Sequence, residues 1–115
     1  MKSYECRERT ALTFELRTYI AVEGKMEELL TRFREHTVGL FVEHGMRSVG
    51  YWRPVGEGNT LIYLLQHEGD PAANWESFRV DPRWIEVRRA SETNGELTAG
   101  IVSVLLEPTD FSLLS

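Results

Sequence analysis

Three histidines, His36, His44 and His67, are the side chains here best suited to exchange a proton near neutral pH. His36 falls three residues after Phe33 and four before Leu40, on what reads as the apolar stripe of a helix. It is therefore expected to point toward a sheet, either as a hydrogen-bonded core residue or as a pocket acid or base. His44 stands before Gly45 and reads as a helix end. His67 ends a strand in parity with Tyr63, so the two are expected to share one face. His36, Tyr63 and His67 are the candidates for moving a proton.

A second group could hold a ligand. Arg17 and Tyr19 alternate with Leu16 and Thr18 and lie on the strand face opposite Phe14, the face expected to meet a partner subunit. A buried guanidinium needs an acceptor, which Glu15 on the same face, a carboxylate across a dimer, or an anionic or phenolate ligand would supply. Aromatic residues are plentiful for a small domain: Tyr51, Trp52, Tyr63, Trp75, Phe78 and Trp84. Most are expected in the core, but aromatic walls with a few polar groups also line small-molecule pockets. Trp52, Trp75 and Trp84 join Arg17 and Tyr19 as candidate ligand contacts.

Other chemistries lack their residues. His36 and His44 are too far apart for a metal-binding helix motif, and no His-x-His or Cys pair occurs, so no metal is expected. Gly56-Glu-Gly58 joins two strands instead of opening a helix after one, which excludes a phosphate loop, and no Gly-x-Ser-x-Gly elbow exists. No cofactor is expected. Cys6 is the only cysteine and sits in a charged segment, residues 1–10, that reads as a flexible N-terminal arm.

Length and charge bound the rest. The 115 residues carry 13 Lys and Arg against 18 Asp and Glu, a net charge of −5. One domain, residues 11–115, is expected. Arg79, Arg83, Arg88 and Arg89 are interleaved with Glu76, Asp81, Glu86 and Glu92, so no basic stripe suits nucleic acid. Apolar runs such as Leu61 to Leu65 fall far short of the roughly 20 residues that span a bilayer, so no membrane partner is expected. The first residues do not show the basic region and apolar run of an export signal, and Glu5 and Glu8 argue against an organellar presequence, so the expected compartment is the cytoplasm.

The elements that must position these side chains follow from periodicity and punctuation. Period-two alternation predicts a strand over Leu12 to Val22. Met26, Leu29, Leu30, Phe33, Leu40 and Phe41 predict a helix from Lys25 to His44. Strands are predicted over Arg47 to Arg53, where Gly50 leaves room for a close neighbour, and over Thr60 to Gln66. Asp70-Pro71 and Asp81-Pro82 each supply a cap followed by proline at the first helical position. They predict helices over Pro71 to Arg79 and Pro82 to Thr93, before a last strand from Gly100 to Glu107. This βαββαβ order is the ferredoxin-like α+β arrangement with an antiparallel sheet. Helices cover one face of such a sheet, and strands apolar on both sides make a second subunit the economical cover for the other.

Phe14-Glu-Leu-Arg-Thr-Tyr19, Glu23-Gly-Lys25, His44-Gly45, Val49-Gly-Tyr-Trp52 and Asp81-Pro-Arg-Trp84 together resemble the NIPSNAP family over nearly the whole chain. The resemblance implies a dimeric α+β barrel, in which two ferredoxin-like sheets pack face to face. Relatives sharing that barrel include cofactor-independent monooxygenases, cyclising enzymes and haem-degrading proteins, whereas NIPSNAP-like proteins mostly lack an assigned chemistry. The expectation is a homodimer that binds a small apolar or aromatic metabolite, as a cofactor-independent oxygenase, cyclase or isomerase or, alternatively, as a non-catalytic binding or protein-interaction module.

Overall fold

The first strand, β1 (Thr13–Ala21), is followed by α1 (Met26–Arg32), a π-helical turn (Phe33–Thr37) and α2 (Val38–Glu43), which continue one another. Then come β2 (Met46–Trp52), β3 (Thr60–His67), α3 (Pro71–Arg79), α4 (Pro82–Ser91) and β4 (Thr98–Leu106). The computed structural model describes residues 12–114, so the expected arm over residues 1–10, with Cys6, lies outside the described residues. The strands form one antiparallel sheet in the order β2-β3-β1-β4, which is the ferredoxin-like α+β topology expected from the sequence. No helix among the described residues is long and apolar enough to cross a membrane.

The helix boundaries follow their punctuation. The Asp70 side chain accepts from Ala73 N at 3.1 Å and Asp81 from Arg83 N at 2.8 Å, each with proline in the first turn. Gly45, at φ +80°, lets the chain leave α2 directly into β2.

The π-helical turn overturns one expectation. Val38 N bonds Phe33 O, and Thr37 Oγ1 donates to Arg32 O at 3.2 Å. A turn closed from i to i+5 needs one residue more than an α-helical turn to come round. Thr37, not His36, therefore returns to the buried side between Phe33 and Phe41, and His36 is turned out to solvent.

A second correction concerns β1. Glu15, Arg17 and Tyr19 pair with Leu65, Tyr63 and Leu61 of β3 and with Leu105, Ser103 and Ile101 of β4. Tyr19 packs edge-on against Phe33 of the helical layer, and Trp75 of α3 bonds Glu15. This face therefore meets the helices, not the side left for a partner. The core between the layers includes Tyr19, Met26, Leu29, Phe41, Met46, Leu61, Tyr63, Leu65, Phe78 and Leu97. The opposite face carries Leu16, Ile20, Ile62, Leu64, Trp52, Val102, Val104 and Leu106, of which Val102 is 63% exposed.

Candidate functional site

Four donors converge on one buried carboxylate. Glu15 Oε1 accepts from His67 Nε2 at 2.6 Å and Trp75 Nε1 at 2.7 Å, and Oε2 accepts from Arg17 Nη1 at 2.9 Å and Ser103 Oγ at 2.5 Å. A carboxylate offers about four lone-pair positions, so Glu15 is fully occupied. Burial pushes its pKa upward, but the hydrogen bonds from His67, Ser103, Trp75 and Arg17 outweigh it and hold the group down at about 2. Glu15 is thus an anion whose negative charge is spread over four partners.

Arg17 is the second hub. Its Nε donates to Tyr63 Oη at 2.8 Å and its Nη2 to Tyr19 Oη at 3.1 Å, while Tyr63 donates to Tyr19 at 3.0 Å. The guanidinium lies over the Trp75 ring, with Cζ 4.1 Å from the centroid. Burial would lower the Arg17 pKa, but the two tyrosines and Glu15 more than compensate, so it stays charged. Burial pushes the Tyr63 hydroxyl well above its ordinary value, which makes it a neutral hydrogen-bonding group at physiological pH.

His67 is wholly buried. Asn74 Nδ2 donates to its Nδ1 at 3.0 Å and to Glu68 O at 2.9 Å, so the His67 proton given to Glu15 sits on Nε2. Parity put Tyr63 and His67 on one face, and the structure brings them there. Neither reaches solvent, so both act on the cluster from behind.

The cluster meets solvent along β4. Ser103 is exposed, and Ile101 and Leu105, its neighbours on the same face, are 47% and 57% exposed. Trp75 and Arg17 border this strip and are partly buried. The arrangement is a polar centre, Ser103 backed by Glu15 and Arg17, between two apolar side chains and an indole.

The other sequence candidates lie elsewhere. Trp52 sits on the open sheet face, its indole over Gly50, where a Cβ would come within 2.5 Å of the ring. Trp84 packs on Phe78 at 4.7 Å and beneath Arg32, within the helical layer. His36 lines a groove of about 650 Å³ between α1 and α4, with Glu27, Glu28, Arg32, Glu86 and Ser91, and an adjoining one of about 310 Å³. Both grooves lie on the outer side of the helices, and neither includes a member of the Glu15 cluster.

His44 does more than end a helix. Its Nε2 bonds Asp81 Oδ2 and its Nδ1 bonds Ser77 Oγ, both at 2.7 Å. Despite the Ser-His-Asp composition, this is a tie. Ser77 Oγ also donates to Asn74 O at 3.2 Å, and Asp81 is engaged by the Arg83 side chain and backbone N–H. It fastens the end of α2 to the corner between α3 and α4.

Sequence reasoning named Glu15 only as an acceptor for Arg17 and missed Ser103 and Asn74. Glu15 had a signal, an acid alternating with Arg17 and Tyr19 in a strand. Ser103 had none, since one serine in an apolar strand gains meaning only from the β1–β4 register. Among the described residues no group of three or more His, Cys, Asp or Glu side chains is arranged to hold a metal ion.

An antiparallel ferredoxin-like sheet with helices on one face and a polar cluster at their junction defines a small α+β domain. The family model described as NIPSNAP matches residues 14–113, and the chain belongs to the NIPSNAP family. A NIPSNAP family protein of unknown function from Agrobacterium tumefaciens str. C58 superposes with a TM-score of 0.77 at 21% identity, covering 92% of this chain and 96% of that one. An uncharacterized NIPSNAP domain protein from Burkholderia xenovorans gives 0.68 at 25% identity, over 86% and 96%. A putative antibiotic biosynthesis monooxygenase from Bordetella bronchiseptica shares the fold at 0.67 and 15% identity, over 86% and 98%. No curated protein matches the sequence.

Proposed function

We propose that the protein is a homodimer, paired through its open sheet face, that binds a small apolar or aromatic molecule at the junction of β1, β4 and α3. The observation that carries this reading is the exposed strip Ile101, Ser103 and Leu105 set against a buried, fully bonded Glu15 and Arg17. Apolar walls supply binding energy and a few fixed polar groups supply orientation. Any turnover at such a site would proceed without a bound cofactor, with Tyr63 and His67 holding the charges of Arg17 and Glu15 in place. The putative monooxygenase with the same fold is consistent with chemistry in this superfamily.

Native mass spectrometry of freshly purified protein tests both parts. A dimer carrying an additional small mass supports the reading, and loss of that mass in Trp75→Ala would assign it to the cluster. A monomer overturns the dimer. A second reading, a non-catalytic protein-interaction module, is favoured by the fact that neither helix-side groove reaches the cluster. A bare dimer would support it.

A further inference from the structure

We propose that this site, if it binds a small molecule as argued above, selects an electrically neutral ligand carrying a hydroxyl group, and that this hydroxyl takes the place of Ser103 on Glu15. The inference rests on that binding reading and adds the charge and functional group of the ligand.

Arg17 and Glu15 are 2.9 Å apart, so an anion brought to the guanidinium also meets the carboxylate at close range. The attraction and the repulsion are of similar size at similar distance. What remains is the cost of stripping water from the anion, which nothing in the site returns. A neutral ligand carries no such cost.

Three of the four donors on Glu15 are fixed: His67 is buried and held by Asn74, the Trp75 indole is edge-packed on Phe41 and Phe78, and Arg17 is tied to two tyrosines. Ser103 is exposed and turns about a single bond, so its place on Oε2 can be ceded. Arg17 has five N–H donors, and three are engaged with Glu15, Tyr63 and Tyr19. A ligand hydroxyl at the Ser103 position would donate to Glu15 Oε2, the bond that Ser103 makes now. Arg17 already holds the hydroxyls of Tyr63 and Tyr19, so a third hydroxyl, on a flat apolar body against Trp75, repeats chemistry the cluster performs internally.

Calorimetric titration of the intact protein with 2-naphthol, neutral at pH 7, and 2-naphthoate, ionised there, tests the proposal, with Ser103→Ala as the variant. The expected result is saturable binding of 2-naphthol, at least ten-fold weaker binding of 2-naphthoate, and several-fold tighter binding of 2-naphthol by Ser103→Ala, because the competing hydroxyl is gone. Equal or stronger binding of 2-naphthoate overturns the charge selectivity. Unchanged or weaker 2-naphthol binding in a folded Ser103→Ala overturns the displacement. Binding of neither probe by either protein overturns the binding reading itself.

Discussion

His67 Nε2 lies 2.6 Å from Glu15 Oε1, joining residues 52 positions apart on neighbouring antiparallel strands. The bond ties the end of β3 to the polar centre of β1, and it makes the ionisation of Glu15 a term in the stability of the whole sheet.

That term has a definite pH dependence. Glu15 falls from an ordinary value of 4.5 to about 2 in the fold. Its contribution is therefore fully present above pH 4.5, erodes below that, and is lost as the pH falls through about 2. Urea unfolding at several pH values should show a stability loss between those limits that Glu15→Gln lacks. At pH 7 the same variant should be less stable by about 3 to 5 kcal/mol, since Arg17 is left buried without its counter-ion. Parallel acid limbs in the two proteins would refute the assignment.

Gly45 controls His67 at one remove. It adopts φ +80°, and a Cβ there would meet Asn74 Oδ1 at 2.9 Å. Gly45→Ala should lower stability by about 1 to 3 kcal/mol through backbone strain. Asn74→Ala and the double variant should then show non-additivity in thermal unfolding, because the alanine methyl and the amide compete for one space. Additive losses would mean that Asn74 moves aside without cost.

His44 should matter to folding and not to ligand binding. His44→Ala removes the link between α2 and the α3–α4 corner, so a loss of about 1 to 3 kcal/mol is expected in denaturant. Binding of any ligand at the β4 strip should be unchanged, which titration of the variant would check.

His36 should matter to neither. It is exposed on the outer side of the helices, so His36→Ala is expected to stay within about 0.5 kcal/mol of the parent in stability. Ligand binding or turnover that collapses in this variant would move the site to the helix-side groove.

The open sheet face can be tested by one charge. Val104 is 47% exposed on the side away from the helices. Burying an unpaired carboxylate in an apolar interface is costly, so Val104→Glu should convert the proposed dimer to a monomer in light scattering. A dimer that survives would place the interface elsewhere.

What the sequence determined by itself is what depends on neighbours along the chain. The strands, the Asp-Pro helix starts, the Gly45 exit and the βαββαβ order are all set by local periodicity and caps, and the family resemblance runs through the same local motifs. Parity along β3 likewise put Tyr63 and His67 together. Tertiary structure decided three things that spacing cannot express. A π-helical turn changed the phase of one helix and sent His36 outward. The polar side of β1 became the buried one, because Glu15, Arg17 and Tyr19 find partners on β3, β4 and α3 that satisfy them, and satisfied polar groups can be buried where lone ones cannot. Ser103 acquired a role only through its register opposite Arg17. Local patterns report what a residue prefers on average, and only packing reveals which distant group will meet its charge.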